Sequence, residues 1–380
     1  MAASAAVALG TGLLTACTSP NAGASGQASS PLGPTIPLTS SSVAGATTWA
    51  TLAMGHLDDP LNTFWQLLVL NGSRWQLATP PGVASNGGLV AAVDSTSVLA
   101  GFGPSQDLLF SPTARTTDQG SSWQAGVLPS GLSLVPDGLA QGGGESLALL
   151  ATGGGKVVAS TGDPSTWTSV TTASSLRRRS AVADCHLRSL TAVTLGADGT
   201  PLVGSSCARG GRAGLFEPSS GGWVSTGPGI PGASGGPTEV VRLDQTAAGT
   251  SALVSAGSGA TTRLYGLWST NGLRTWTVSA GLPIGGASLL STGVTAAGGF
   301  AVATRSGNAV PSASVLGPTG SRWKRLPPLP SGTTSVTAGP AATYDALVPV
   351  RSTLSVYQLG SNGWVRAQTL RVAIPYGSSN

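Results

Sequence analysis

Leu67-Leu68-Val69-Leu70-Asn71-Gly72-Ser73-Arg74-Trp75 decides the fold, because its parts recur along the chain. A short apolar run of strand composition ends at Asn-Gly, a strong local signal for a tight hairpin turn, and a Trp opens the return strand. Leu108-Leu109-Phe110 ahead of Thr116 to Trp123 repeats the order, and Gly221-Gly222-Trp223, Gly320-Ser321-Arg322-Trp323 and Asn362-Gly363-Trp364 repeat the turn with its Trp. Trp75, Trp123, Trp167, Trp223, Trp276, Trp323 and Trp364 are separated by 48, 44, 56, 53, 47 and 41 residues. Two further apolar runs, such as Leu89 to Val93 and Val98 to Phe102, fit between one Trp and the next.

Four short strands per repeat, seven times over, predict an all-β chain: a seven-bladed β-propeller of four-stranded antiparallel blades. Counted outward from the axis, each Trp opens the fourth strand and fills the wedge between neighbouring blades, so the Trp set is core. Composition agrees. Only 9% of the 380 residues are charged, while Gly supplies 56 and Pro 26. That combination excludes charge-driven disorder, and three Glu with two Lys cannot clothe the surfaces of a helical bundle. The N-terminal part offers Thr48 to Ala53, Phe64 to Leu70 and Arg74 to Ala78, one strand short of a blade, whereas Thr369 to Pro375 follows the last Trp. The N- and C-terminal strands are therefore expected to share the first blade, which removes two open edges. One domain over residues 43–376 results, with a tail at 377–380.

Residues 1–16 are apolar and uncharged and end at Leu14-Thr15-Ala16-Cys17, which resembles a bacterial lipobox. The resemblance implies a lipoprotein-type signal segment over 1–16, lipidation of Cys17 and a Ser/Gly/Pro-rich tether over 17–42. No Lys or Arg precedes the apolar run, which points to a start further upstream. The expected address is the cell membrane, lipid-anchored on its extracytoplasmic side. In that setting Cys185 and Cys207 form a disulfide, since two successive antiparallel strands would bring them to one face.

Thr116-Thr117-Asp118-Gln119-Gly120-Ser121-Ser122-Trp123 fits the Asp-box pattern S/T-x-D-x-G-x-S/T-W, with Thr116, Asp118, Gly120, Ser122 and Trp123 in the defining places. The Asp carboxylate can accept backbone N–H bonds inside the turn, and Gly takes the φ > 0 position. Ser269-Thr270-Asn271-Gly272-Leu273-Arg274-Thr275-Trp276 is a copy with Asn for Asp and Gly displaced by one, and Ser160 to Trp167 is weaker still. The arrangement resembles the sialidase-like propellers with BNR repeats. In that family the boxes are structural and sit away from the active face, so the motif argues for fold rather than activity.

A sialidase-type glycoside hydrolase would need an arginine cluster, a Tyr nucleophile with a Glu, and an Asp acid/base. The family's F/Y-R-I-P motif has no match near the first strand, and the nearest string is Leu370-Arg371-Val372-Ala373-Ile374-Pro375. Glu239, Arg242, Tyr265 and Arg371 are the candidate catalytic residues, with a Glu239–Arg242 ion pair on the channel wall as the plainer expectation. Two histidines, His56 and His186, cannot build a His-rich site, so neither a metal nor a cofactor is expected. Charge concentrates elsewhere. Residues 177–212 hold Arg177, Arg178, Arg179, Arg188, Arg209 and Arg212 against Asp184 and Asp198, most of the chain's net +5. Stapled by Cys185–Cys207, Arg177, Arg178, Arg179, Arg209 and Arg212 would form an anion-binding patch opposite the Asp-box turns. The leading expectation is a binding or assembly scaffold whose partner is an acidic glycan, lipid head group or acidic envelope protein. The alternative is the divergent sialidase-type hydrolase. Nucleic acid is not expected, since no aromatic residue is interleaved with the arginines.

Overall fold

The computed structural model describes residues 39–44, 46–57, 59, 62–80, 88–94, 97–102, 112–127, 136–150, 154–162, 166–178 and 185–373. Among them the strands fall into successive antiparallel four-strand meanders, each joined in sequence order. The first is Thr39–Ala44, Thr47–Gly55, Thr63–Asn71 and Arg74–Leu77, and the second is Leu89–Val93, Val98–Phe102, Pro112–Thr116 and Gln124–Val127. The third is Gly138–Gly142, Glu145–Leu150, Lys156–Thr161 and Thr168–Thr172, and the fourth is Leu187–Leu195, Pro201–Cys207, Gly214–Ser219 and Gly222–Ser225. The fifth is Thr238–Thr246, Gly249–Ala256, Arg263–Ser269 and Thr277–Val278, with Leu282–Pro283 also paired to its third strand. The sixth is Ser288–Val294, Phe300–Arg305, Ser312–Leu316 and Lys324–Arg325, and the seventh is Ser335–Ala338, Tyr344–Val350, Thr353–Gly360 and Gly363–Arg371. A short helix, Ala173–Arg177, follows the third meander.

Apolar side chains on both faces of each meander bury against the next. Leu147, Leu149 and Val157 of the third pack on Leu187, Leu190 and Val203 of the fourth. Leu253 and Leu264 of the fifth pack on Val302 and Leu316 of the sixth. The same relation joins the seventh to the first, where Leu347, Leu354 and Val356 meet Leu52, Met54 and Leu68. The first strands of the first six meanders line an axial cavity of about 180 Å³. In the fourth, fifth and sixth meanders the first strand carries a bulge at a matching place, between Leu190 and Ala192, Val240 and Arg242, and Leu289 and Ser291. Each bulge adds local twist and re-aims side chains near the axis.

The repeated Trp residues open or immediately precede the fourth strands, as their spacing predicts. Several also stitch one meander to its predecessor through the indole N–H. Trp276 Nε1 donates to Thr226 O at 2.9 Å, Trp323 Nε1 to Ala280 O at 3.1 Å and Trp364 Nε1 to Pro327 O at 3.2 Å. Trp75 Nε1 donates to Asp345 Oδ2 of the seventh meander at 2.8 Å. A ring with an apolar body and one donor suits a layer boundary with an exposed carbonyl.

Two expectations require correction. Thr369 to Arg371 does not complete the first meander: it extends Gly363–Arg371, pairing with Thr353–Gly360 from Gly360↔Gly363 to Thr353↔Arg371. The missing strand is Thr39–Ala44, which begins inside the stretch expected to be tether and moves the folded boundary from residue 43 to 39 at least. That strand pairs antiparallel with Thr47–Gly55 and parallel with Ser288–Val294 of the sixth meander, over Thr39↔Ser291 to Ser42↔Val294. Cys17, the signal segment, Arg179 and the tail at 377–380 lie outside the described residues. No helix among the described residues is long and apolar enough to cross a membrane.

Candidate functional site

The disulfide follows from strand register. Leu187, the first residue of its strand, faces Cys207, the last of its own, so the residue before Leu187 and the end of the partner strand meet at one rim. Cys185 and Cys207 are joined there, with Cα atoms 5.0 Å apart. Between them and the strands, His186 adopts φ 47° and its carbonyl accepts from the Ala208 amide at 3.1 Å. For the 22-residue separation, loop closure entropy corresponds to about 3 kcal/mol of stabilisation.

The arginines gather round this staple. Thr172 and Ser175 form a capping box that starts the helix Ala173–Arg177, and the helix delivers Arg177 to the beginning of the fourth meander. There Arg177 Nε donates to Leu187 O at 3.0 Å, and its Nη2 donates to Arg188 O. Arg178 caps the helix through its backbone and leaves its side chain exposed. Arg209 Nη2 lies 3.3 Å from His186 Nδ1. Arg212 Nη2 donates to Gly227 O at 2.7 Å, while its own carbonyl accepts from Thr238 Oγ1 at 2.5 Å. Among the described residues none of these four guanidinium groups, nor that of exposed Arg188, is paired with a carboxylate. Carbonyl contacts orient Arg177 and Arg212 without neutralising them. Among the described residues the rim presents oriented positive charge without a paired carboxylate, which favours an anion.

The catalytic candidates do not converge. Arg242 lines the axial cavity, but its ion pair is with Asp244, Nε to Oδ2 at 2.7 Å and Nη2 to Oδ1 at 3.0 Å, rather than with Glu239. Residues two apart on a strand share a face, which is why Asp244 is the partner. Arg242 also donates to Thr292 O at 2.9 Å and Ser42 Oγ at 2.6 Å, tying the fifth meander to the sixth and first. Glu239 stands opposite Ser206 and Ser255 at the start of its strand. Tyr265 is buried two strands further out with its hydroxyl donated to Pro231 O at 2.9 Å. Arg371 is exposed at the end of the outermost strand of the seventh meander.

The Asp box has the local chemistry its residues imply. Asp118 Oδ1 accepts from Ser122 N at 2.8 Å and from Thr116 Oγ1 at 2.8 Å, its Oδ2 accepts from Ser122 Oγ at 2.5 Å, and Thr116 Oγ1 accepts from Gly120 N at 2.9 Å. These bonds, the two from Ser122 foremost, hold the Asp118 carboxyl at about 2. The Asn271 copy reproduces the frame: Thr275 N donates to Asn271 Oδ1 at 3.0 Å and Leu273 N to Ser269 Oγ at 3.0 Å. Its displaced glycine is explained by the backbone. Both central positions have positive φ, 61° and 86° at Gln119-Gly120 and 67° and 67° at Gly272-Leu273, so either can carry the Gly.

One carboxylate pair was not singled out from sequence. Asp198 and Glu217 line a cavity of about 280 Å³ with Gln245 and Thr250. Burial and then the Asp198 charge raise the Glu217 carboxyl, whereas the Thr200 backbone N–H lowers that of Asp198. The signal that could have found them is the scarcity of carboxylates itself. Among the described residues no group of three or more His, Cys, Asp or Glu is placed to hold a metal ion.

No family model matches the chain, and no curated protein matches its sequence. Solved structures do. A periplasmic gluconolactonase of Pseudomonas aeruginosa superposes with a TM-score of 0.54 at 12% identity, over 86% of this chain and 97% of that one. A Lactobacillus plantarum protein gives 0.53 at 10% identity, over 86% and 96%. A Bacteroides uniformis protein named as a candidate 6-phosphogluconolactonase gives 0.52 at 12%, over 87% and 98%. The fold is a β-propeller. At these identities the likeness concerns the fold alone, and the sialidase-like resemblance rests on the Asp-box residues.

Proposed function

We propose that this propeller has seven blades, one per meander, and works as an extracytoplasmic binding scaffold anchored through lipid on Cys17. Its ligand is an acidic glycan or an acidic envelope partner, held at the rim of the fourth blade by Arg177, Arg178, Arg209 and Arg212, with Arg179 adjoining in sequence. The observation that carries the reading is the group of arginines on disulfide-stapled loops with no carboxylate among the described residues to neutralise them. Pre-ordered cations lose little conformational freedom when an anion binds, which favours affinity. The sialidase-type alternative needs Glu239, Arg242, Tyr265 and Arg371 at one place, and their dispersal gives it no support. Titration of the protein with acidic and neutral oligosaccharides tests the proposal. Binding confined to the acidic set and weakened by salt is expected, and equal binding of both sets, or turnover of a glycoside or lactone, would overturn it.

A further inference from the structure

A groove of about 610 Å³ lies beside the arginine rim, lined among others by Ser234, Pro237, Ser258, Thr261, Arg263 and Tyr265. Its volume is that of a small-molecule site rather than a surface dimple. One wall is the segment entering the fifth meander, and that wall is fastened to the arginine loop: Ile230 N donates to Gly211 O at 2.8 Å and Gly211 N to Gly236 O at 3.3 Å. The opposite wall is the turn Gly257 to Thr262, fixed by Thr261 Oγ1 donating to Ser258 O at 2.8 Å and Thr262 Oγ1 to Gly259 O at 2.9 Å. Groove and arginine rim are thus parts of one rigid surface.

The lining is hydroxyl- and backbone-rich, with Tyr265, Pro237 and Pro283 as apolar surfaces. Among the described residues its one charged lining residue is Arg263, exposed and with its guanidinium in contact with no protein acceptor, and no carboxylate lines the groove. Uncharged walls with polar edges and apolar patches match a sugar ring, which has polar edges and apolar faces, and a single unpaired guanidinium matches one carboxylate. We infer that the groove is a saccharide subsite for a hexuronate-containing oligosaccharide: one uronate pairs with Arg263 while the chain continues over the wall to Arg212 and Arg209. An acidic peptide fits less well, since only one cation is available within the groove and no apolar pocket receives its side chains.

The inference rests on the anionic-ligand reading above and is tested separately from it. Full-length protein is titrated calorimetrically with trigalacturonate, maltotriose, inorganic sulfate and a hexaglutamate peptide, alongside Arg263→Ser and Ser234→Trp, the latter placing a bulky ring in the groove. Unchanged thermal midpoints identify both variants as folded. Wild type is expected to prefer trigalacturonate to sulfate and to maltotriose. Each variant should weaken trigalacturonate about tenfold or more, the usual loss on removing a charge-assisted hydrogen bond, and leave sulfate affinity unchanged. Trigalacturonate affinity that survives both variants but falls with Arg209→Ser/Arg212→Ser would refute the subsite and leave the rim reading standing. Hexaglutamate that matches trigalacturonate and shows the same dependence on Arg263 and Ser234 would refute its saccharide selectivity. Absence of binding to every anion would remove both readings.

Discussion

Replacing Gln368 by Ala removes a two-way hydrogen bond that fastens the last strand of the seventh meander to the first. Gln368 Oε1 accepts from Trp75 N at 2.9 Å and its Nε2 donates to Trp75 O at 2.8 Å, so one side-chain amide imitates a strand partner for a buried residue. The indole bond to Asp345 and the Gly55 N–H donated to Arg351 O at 3.1 Å are further polar contacts of this joint. With the apolar layer around Leu347 and Leu354 they hold the seventh meander against the first. Leaving a buried backbone group without its partner costs about 1–3 kcal/mol, the lost bond included. With two such groups, Gln368→Ala should lower the unfolding free energy by about 2–6 kcal/mol, read from urea denaturation. Hydrogen exchange should show Trp75 and its neighbours losing protection before the fourth and fifth meanders do. A loss below about 0.5 kcal/mol, with the Trp75 amide still protected, would refute the latch.

Other outcomes follow from the same contacts. Asp345 is buried, its Oδ1 has no hydrogen-bond partner among the described residues, and burial raises its carboxyl, so the stability it contributes is fully present below 3.8 and lost as pH rises through the raised value. Asp345→Asn, which keeps the acceptor for Trp75, should gain stability relative to wild type as pH rises above 3.8, and parallel pH profiles would contradict this. Asp118 behaves oppositely: its contribution is present above 3.8 and lost as pH falls toward about 2, so Asp118→Asn should remove that acid-side slope from the unfolding midpoint. Asn271→Asp should complete the second box and stabilise by about 0.5–1 kcal/mol at neutral pH, since Thr275 N–H and O–H can both donate to a carboxylate. Reduction of Cys185–Cys207, or Cys185→Ser/Cys207→Ser, should cost about 3 kcal/mol and weaken anion binding by loosening the arginine loops, measured by denaturation and titration on one sample.

The fourth strands and their tryptophans were legible because one large aromatic residue marks the same layer boundary in every repeat. The disulfide was legible because adjacent antiparallel strands bring its two ends to one rim. Thr39–Ala44 was not, since its Thr-Ser-Ser-Ser-Val-Ala sequence carries the composition of a linker. It needs no apolar alternation: Ser40 and Ser42 line the polar axial cavity, and backbone pairing on both sides holds the strand. The period alone divides the terminal strand at Thr369, whereas residues 365–370 contain no Gly or Pro that could end a strand after Trp364. The arginine cluster was visible as charge in a charge-poor chain. Its lack of carboxylate partners among the described residues was not, because pairing depends on contacts between distant segments. The axial Arg242–Asp244 pair lay within reach of a strand argument, through its spacing of two.

Titration of full-length protein with polygalacturonate, repeated on the Arg177→Ser/Arg178→Ser/Arg209→Ser/Arg212→Ser variant, tests the central claim most directly. The account predicts salt-sensitive binding by wild type and a loss of about a hundredfold in the variant, with an unchanged circular dichroism spectrum. Equal affinity of the two proteins would contradict it.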